Sequence, residues 1–328
     1  MRRSDLPGAP VVVVAAAVVV LSLLVPLVVR TDYELQVLFR IYLFASLGLA
    51  WNLVGGYAGQ LSLGHAGYFG AGAYGLALFS GKLGMSPWLA VMMGVVVALV
   101  FALLIGGVSF RLRGPYFALS TIAFTEILRL TAKNLPAITG GDVGVQVPAL
   151  FHDHISRSFY WAAVALASLA FALTVSISRA KFGYYLMAIR EDEDTALSVG
   201  IDAARTKLAA LLISAALSAV GGALYASIFL FIVPDQVFAL DVSNEIAIVA
   251  MLGGAGTVLG PIVGSVVLET ASEMFKNTFK EAHQLIFGGL LVVVVLFLPG
   301  GIVGAITGFL RRREMPDERI TDESARAH

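Results

Sequence analysis

The sequence predicts an all-α fold: a polytopic membrane helix bundle of about eight to ten crossings, with interrupted or re-entrant segments and a two-half pseudo-repeat. Three observations carry that prediction. Hydrophobic residues make up 58% of the 328 and charged residues 13%, where a soluble domain has roughly 45–50% and about 25%. The mean hydropathy of +0.87 leaves most segments without a polar face for water, so lipid must solvate much of the surface. Charge is also gathered rather than spread: residues 179–207 and 311–326 each hold ten charged side chains. Those two stretches are read as aqueous.

The spans follow in order. Arg2 and Arg3 precede an apolar run from Val11 to Val29, which is 19 residues long. That exceeds the roughly 7–15 residues of a secretory signal core, and no A-x-A site follows, so the run is read as a retained first span. Further apolar runs occupy 35–54, 57–80, 87–109, 115–134, 159–178, 207–233, 243–270 and 283–310, separated by signals such as Ser86-Pro87, Arg111 to Pro115 and Pro234-Asp235. Lys and Arg concentrate in cytoplasmic loops, which assigns Arg2/Arg3, Arg111/Arg113, residues 179–207 and Arg311 to Arg313 to the inside. Nine simple crossings would leave the last group outside. The conflict disappears if the run 243–270, broken at Gly253-Gly254-Ala255-Gly256 and at Gly260-Pro261, divides into two half-helices. Pro299-Gly300-Gly301 also breaks the last run. Both termini are therefore expected inside, with an even number of crossings. The expected organisation is an N-terminal segment with the first span (1–34), a transmembrane domain (35–310) with an aqueous loop at 179–207, and a charged tail (311–328). A weak internal echo pairs GGYAGQLSLG (55–64) with GGAGTVLG (253–260), and GGDVG (140–144) with GGIVG (300–304).

A formal net charge of zero gives no basic excess for nucleic acid and no acidic tail for a cationic partner. The lack of cysteine excludes disulfides, thiolate metal sites and cysteine nucleophiles. The sequence contains no G-x-x-x-x-G-K-[ST], H-E-x-x-H or G-x-S-x-G motif, so ATP binding through a P-loop and the common hydrolase sites are not expected. A metal site at His65 lacks a second ligand at i±3 or i±4, and His152 and His154 flanking Asp153 read as hydrated loop residues.

The densest signal is GYAGQLSLGHAGYFGAG (56–72). So much glycine means that backbone either approaches something closely or leaves helical geometry. Gly67, Ala71 and Gly75 share a face suited to close helix packing. Gln60, Ser62 and His65 beside them either line a translocation path or tie helices together. In RLRGPYFALSTIAFTEILRL (111–130), Thr121, Thr125, Glu126 and Arg129 have the same two readings, and Glu126 and Arg129 are spaced to pair. Asn244 and Glu245 open the run 243–270, as a helix cap and first-turn acid or as the mouth of the path. Residues 181–214 contain a short amphipathic helix with Tyr185, Leu186 and Ile189 on one side, then Arg190 to Asp194, and Gly200 placed to end it. Such a helix can dock in a cytosolic partner and carry force into the bundle. Beyond it, Ser214, Ser218, Gly222 and Ala226 form a small-residue ladder.

These motifs resemble the LivM-type permease subunits of bacterial branched-chain amino-acid ABC transporters. The resemblance covers roughly 35–310 and rests on GYAGQLSLGHAGYFGAGAY, RLRGPYFALSTIAFTEILRL, ITGGDVGV (138–145), AIREDEDTALSVGI (188–201) and MLGGAGTVLGPIVGS (251–265). It implies a transport subunit rather than an enzyme, in the bacterial inner membrane, with no cofactor of its own. The implied partners are a homologous permease subunit, two cytosolic ATPase subunits that use ATP, and an extracytoplasmic solute-binding protein. It also implies that Arg190, Glu191, Asp192, Glu193 and Gly200 meet the ATPase. Relatives carrying urea or short amides share these motifs. An ion-coupled carrier using Glu126 or Glu245 is the alternative from a different class.

Overall fold

A computed structural model describes residues 22, 25, 31–112, 114–151, 155–279, 288 and 300–305. The first apolar run, Arg113, the His152 to His154 loop, most of the last apolar run and the charged tail lie outside the described residues. Those that are described form a helix bundle, with one short antiparallel strand pair, Val145–Gln146 against Phe231–Ile232.

The longer helices are α1 (Asp32–Asn52), α2 (His65–Gly75), α3 (Pro87–Ser109) and α4 (Pro115–Lys133). A one-turn α5 (Pro136–Thr139) precedes α6 (Ile155–Arg179), the short α7 (Lys181–Glu191) and α8 (Glu193–Ser198), and the long α9 (Ala203–Phe229). A one-turn α10 (Pro234–Val237) then leads to α11 (Leu240–Gly253) and α12 (Gly260–Phe279). Among the described residues, five segments are long and apolar enough to cross a membrane: Asp32–Tyr57, Pro87–Ser109, Arg157–Arg179, Ala203–Phe229 and Pro234–Gly253. The protein is a multi-pass membrane bundle.

Its two ends are marked by contacts. At one end, Arg190 of α7 meets Gly56 and Gly256, and Phe110, just past α3, stacks on Phe117 of α4. At the other, the strand pair lies near Lys82, whose Nζ donates to Ala137, and Lys133 of α4 reaches Asp235 of α10. The helices α1, α2, α3, α4, α6, α9, α11 and α12 alternate between these ends.

The apolar runs at 57–80 and 243–270 needed correction. Helix α2 starts only at His65, because the chain after a π-helical turn at Leu53–Tyr57 leaves helical geometry before it re-enters. The run 243–270 splits as expected, but α12 is a 20-residue helix rather than a half-helix.

Packing is inverted relative to a soluble protein. On α3 the small residues Ala90, Gly94, Ala98, Ala102 and Gly106 are buried, while Met92, Val96, Val100, Leu104 and Val108 are exposed. Small residues face protein and large ones face the apolar solvent, as helix association in lipid favours. The closest approaches surround α2. A Cβ on Gly75 would lie 2.3 Å from the Gly94 Cα, one on Gly72 1.8 Å from the Ala219 carbonyl oxygen, and one on Gly222 1.9 Å from the Phe69 carbonyl oxygen. Thus α2 is pressed between α3 and α9 with backbone touching backbone, and the ladder on α9 serves that contact.

Gly222→Ala therefore requires the helices to part, and overpacking of this kind costs about 1–3 kcal/mol. A lowered melting temperature of the detergent-solubilised chain is expected, whereas Gly107→Ala, with nothing within 4 Å of the new Cβ, leaves it unchanged.

Candidate functional site

The site begins where α1 ends. Between Tyr57 and His65 the backbone has no helical ladder, and inside a bilayer its polar groups must be satisfied by protein. Side chains from three helices do this. Trp51 Nε1 donates to the Ser62 carbonyl at 2.7 Å, and the Leu63 N–H donates to Thr121 Oγ1 at 3.1 Å. Thr125 Oγ1 donates to the Gly64 carbonyl at 3.3 Å, and the Ala66 N–H donates to Ser243 Oγ at 2.8 Å. His65 is fully buried, with Nδ1 3.1 Å from Ser62 Oγ and Nε2 2.7 Å from Ser214 Oγ. Ser62, His65, Thr121 and Thr125 thus converge on one break in the chain, and their hydrogen bonds tie helices together there. Gly67 belongs to the same contact, since a Cβ on it would lie 3.3 Å from Thr125 Oγ1. Gln60 sits at the partly exposed edge, its Nε2 3.5 Å from the Ala58 carbonyl.

A second break, residues 254–259, separates α11 from α12 and lies against the first. Asn52, at the end of α1, ties this second break to that helix: Oδ1 accepts from the Gly256 N–H at 2.7 Å, and Nδ2 donates to the Thr257 carbonyl at 2.8 Å. A Cβ on Gly56 would lie 2.4 Å from the Gly256 nitrogen. Arg190 closes the arrangement from α7. Its Nη1 donates to the Gly56 carbonyl at 2.7 Å and lies 2.4 Å from where a Gly256 Cβ would be; a Cβ on Gly59 would meet its Cγ at 2.9 Å. Gly59 and Gly256 lack side chains where the arginine needs their space, and Gly56 lacks one where Asn52 and the Gly256 main chain sit. A further glycine, Gly301, packs on Gly254, its Cβ position 2.5 Å from the Gly254 Cα.

The amphipathic stretch is two helices rather than one. Asp192 breaks them and caps α8, accepting from the Thr195 N–H at 2.6 Å. The buried face of α7 is Gly183, Leu186 and Ile189; Tyr185, expected on that face, is exposed along with Tyr184. Glu191 is exposed, and Glu193 accepts from Lys207 Nζ at 2.8 Å. Gly200 takes φ +87° just past α8, in open space.

Other expected residues lie elsewhere. Glu126 and Arg129 pair at the opposite end, with Arg129 Nε 2.8 Å from Glu126 Oε2. Arg129 also pairs with Asp235, and Lys133 joins Asp235 at 2.8 Å and Asp142 at 3.0 Å. This exposed network fastens α4 to α10. Asn244 and Glu245 do not cap a helix, because α11 starts at Leu240. Glu245 instead lies 3.4 Å from Arg40 of α1, whose Nε is 3.1 Å from the buried Glu269 of α12. Arg40 and Glu269 were missed in the sequence, although a charge inside an apolar run is itself a signal. Ser243 and Asn52 gave no such signal.

The chain matches a family model described as branched-chain amino acid transport system / permease component over residues 33–296. It is 30% identical to the high-affinity branched-chain amino acid transport system permease protein LivM of Salmonella typhimurium, over 88% of this chain and 73% of that protein. Against the permease protein LivH of Escherichia coli K12 the identity is 27%, over 80% of this chain and 91% of that protein. A probable LivM of Methanocaldococcus jannaschii is 22% identical over 81% of this chain and 91% of that protein. No solved structure matches the chain.

Ser243→Ala leaves the buried Ala66 N–H without its acceptor, a loss of about 1–3 kcal/mol. The variant is expected to melt earlier in detergent, and Ser176→Ala, whose hydroxyl is exposed and bonds only its own helix, serves as the neutral comparison.

Proposed function

This chain belongs to the family of branched-chain amino acid transport permease components, and from that premise we propose how it works. It forms, with a homologous permease subunit, the membrane path of an ABC importer for branched-chain amino acids. Two separate cytosolic ATPases bind and hydrolyse the ATP, an extracytoplasmic solute-binding protein delivers the solute, and this chain is a transport subunit with no cofactor of its own. The names of the relatives support the substrate class.

The α7 end is assigned to the cytoplasm of a bacterial plasma membrane. Arg111, Arg179, Lys181, Arg190 and Arg205 gather there, and basic residues favour that side. Since α1 starts and α12 ends at the opposite end, cytoplasmic termini require the apolar runs 11–29 and 283–310, which lie mostly outside the described residues, each to cross once.

One observation carries the mechanism: Arg190 holds both broken turns at once, through the Gly56 carbonyl and the pocket left by Gly256. Around it α7 and α8 present Tyr184, Tyr185, Leu197 and Val199, all exposed, next to Glu191 and Asp192. This face suits a groove on an ATPase. When the ATPases close they displace α7, and Arg190 passes the displacement to the ends of α1 and α11 together. Lys207, buried and paired with Glu193, keeps α8 attached to α9 during that movement. An ion-coupled carrier fits less well, because Glu126 and Glu245 each already face a guanidinium.

A hydrogen bond from a charged donor is worth about 1.5–3 kcal/mol, so Arg190→Ala should lower ATP-driven leucine uptake by the reconstituted transporter roughly tenfold or more. The ATPase subunits should still co-purify, and Arg190→Lys, which keeps the charge without the planar fork, should fall between. Undiminished uptake by the Ala variant would show that force does not travel through this residue.

A further inference from the structure

We infer that a cavity at the end of the bundle opposite α7 is a docking site for a zwitterionic amino acid with an aliphatic side chain. The solute class rests on the importer reading above; the place rests on residues that reading does not use. The cavity holds about 290 Å³ between the start of α1 and the ends of α9 and α12. At about 30 Å³ per water it has room for roughly ten waters, which is enough for a molecule of leucine's size.

Its walls carry three chemistries. Tyr33, Gln36 and Arg40 line it from successive turns of one face of α1, and Glu273 lines it from α12. Val37, Ile228 and Phe229 supply an apolar wall. The charged groups are held in direction. Arg40 points Nε at Glu269 and Nη2 at Glu245, at 3.1 and 3.4 Å, while keeping 31% of its side chain exposed. Tyr33 donates its phenolic hydrogen to Glu273. A planar, fixed guanidinium is suited to a carboxylate, the Glu273 carboxylate to an ammonium, and the apolar wall to a branched alkyl group. An amino acid presents these three groups on a single carbon atom. Arg40 and Glu273 are already partnered within the protein, so a solute that lacks either charge still desolvates them on docking but adds no hydrogen bond of its own there, which is how such sites discriminate.

The location also agrees with the direction of import. The cavity is at the end assigned to the exterior, where solute arrives before the glycine breaks at the cytoplasmic end.

The absence of cysteine from the chain allows a direct test. Gln36→Cys and Ile228→Cys each place one thiol in the cavity, and maleimide labelling is followed in vesicles holding the complete transporter. L-leucine and L-valine should slow labelling, by about tenfold at ten times the half-protecting concentration. 4-Methylpentanoate, which has no amine, and 3-methylbutylamine, which has no carboxylate, should protect weakly at equal concentration. Adding Arg40→Lys or Glu273→Gln should shift the half-protecting concentration of leucine upward by about tenfold or more. The cysteine-free parent is assayed alongside for ATP-driven leucine uptake. If the parent takes up leucine but neither reporter is protected, or if protection survives both charge variants, the site is wrong and the importer reading stands. If the parent moves no branched-chain amino acid with all partners present, the importer reading fails and this inference fails with it.

Discussion

Every backbone amide inside a bilayer must find its hydrogen-bond partner within the protein, and this bundle breaks its helices at two places where that is hardest. The seven residues between Tyr57 and His65 would be untenable in lipid alone. They persist because Trp51, Thr121, Thr125 and Ser243 bring partners from α1, α4 and α11, while Ser214 of α9 holds the ring of His65. That requirement explains much of the rest. The helices must lie close enough for short hydroxyl side chains to reach, so small residues line their contacts. The large apolar residues are displaced outward, as on α3. His65 belongs to the same logic: both of its ring nitrogens face serines, so a polar group at the core of the bundle becomes a tie between α2 and α9.

The two ends are held by different means. Toward α7 the joints are tight and shielded from water, with carbonyls, amides, one asparagine and one arginine fitted beside glycine and the buried Lys207, paired with Glu193, behind them. At the other end they are ionic and wet, with Arg129, Lys133, Asp142 and Asp235 linking α4 to α10. Exposed ion pairs contribute little to stability and rearrange easily, whereas closely fitted backbone does neither. The contrast gives the bundle one end that transmits displacement and one end that can adjust its width. Such a division suits a path that opens alternately.

The fold was legible in the sequence because lipid imposes length and hydropathy directly on each span. The break inside 243–270 could be foreseen, since Gly253-Gly254 followed by Gly260-Pro261 weakens a helix twice within a few residues. The late start of α2 at His65 could not: Gln60, Ser62 and Leu63 would all tolerate a helix, and only partners distant in sequence hold them out of one. The Glu126–Arg129 pair was readable from its spacing, but its extension to Asp235 spans 106 residues. Arg190 stood out through the charge run around it. Its actual neighbours, Gly56 and Gly256, stood out for glycine density, and nothing in one dimension joins the two signals. Tyr185 was assigned to the wrong face: Gly183, Leu186 and Ile189 recur every three residues on the buried side of α7, and Tyr185 lies about 100° around the helix from Leu186.

Gly56 meets the main chain of Gly256, and Gly301 the main chain of Gly254, so three layers touch backbone to backbone beside the Asn52 and Arg190 side chains. A side chain inserted in such a stack would act as a spring, taking up small shifts by changing rotamer. Bare main chain has no such freedom. Whatever nudges the lowest layer is delivered to the next at nearly full amplitude, so the joint behaves like meshed teeth with little play.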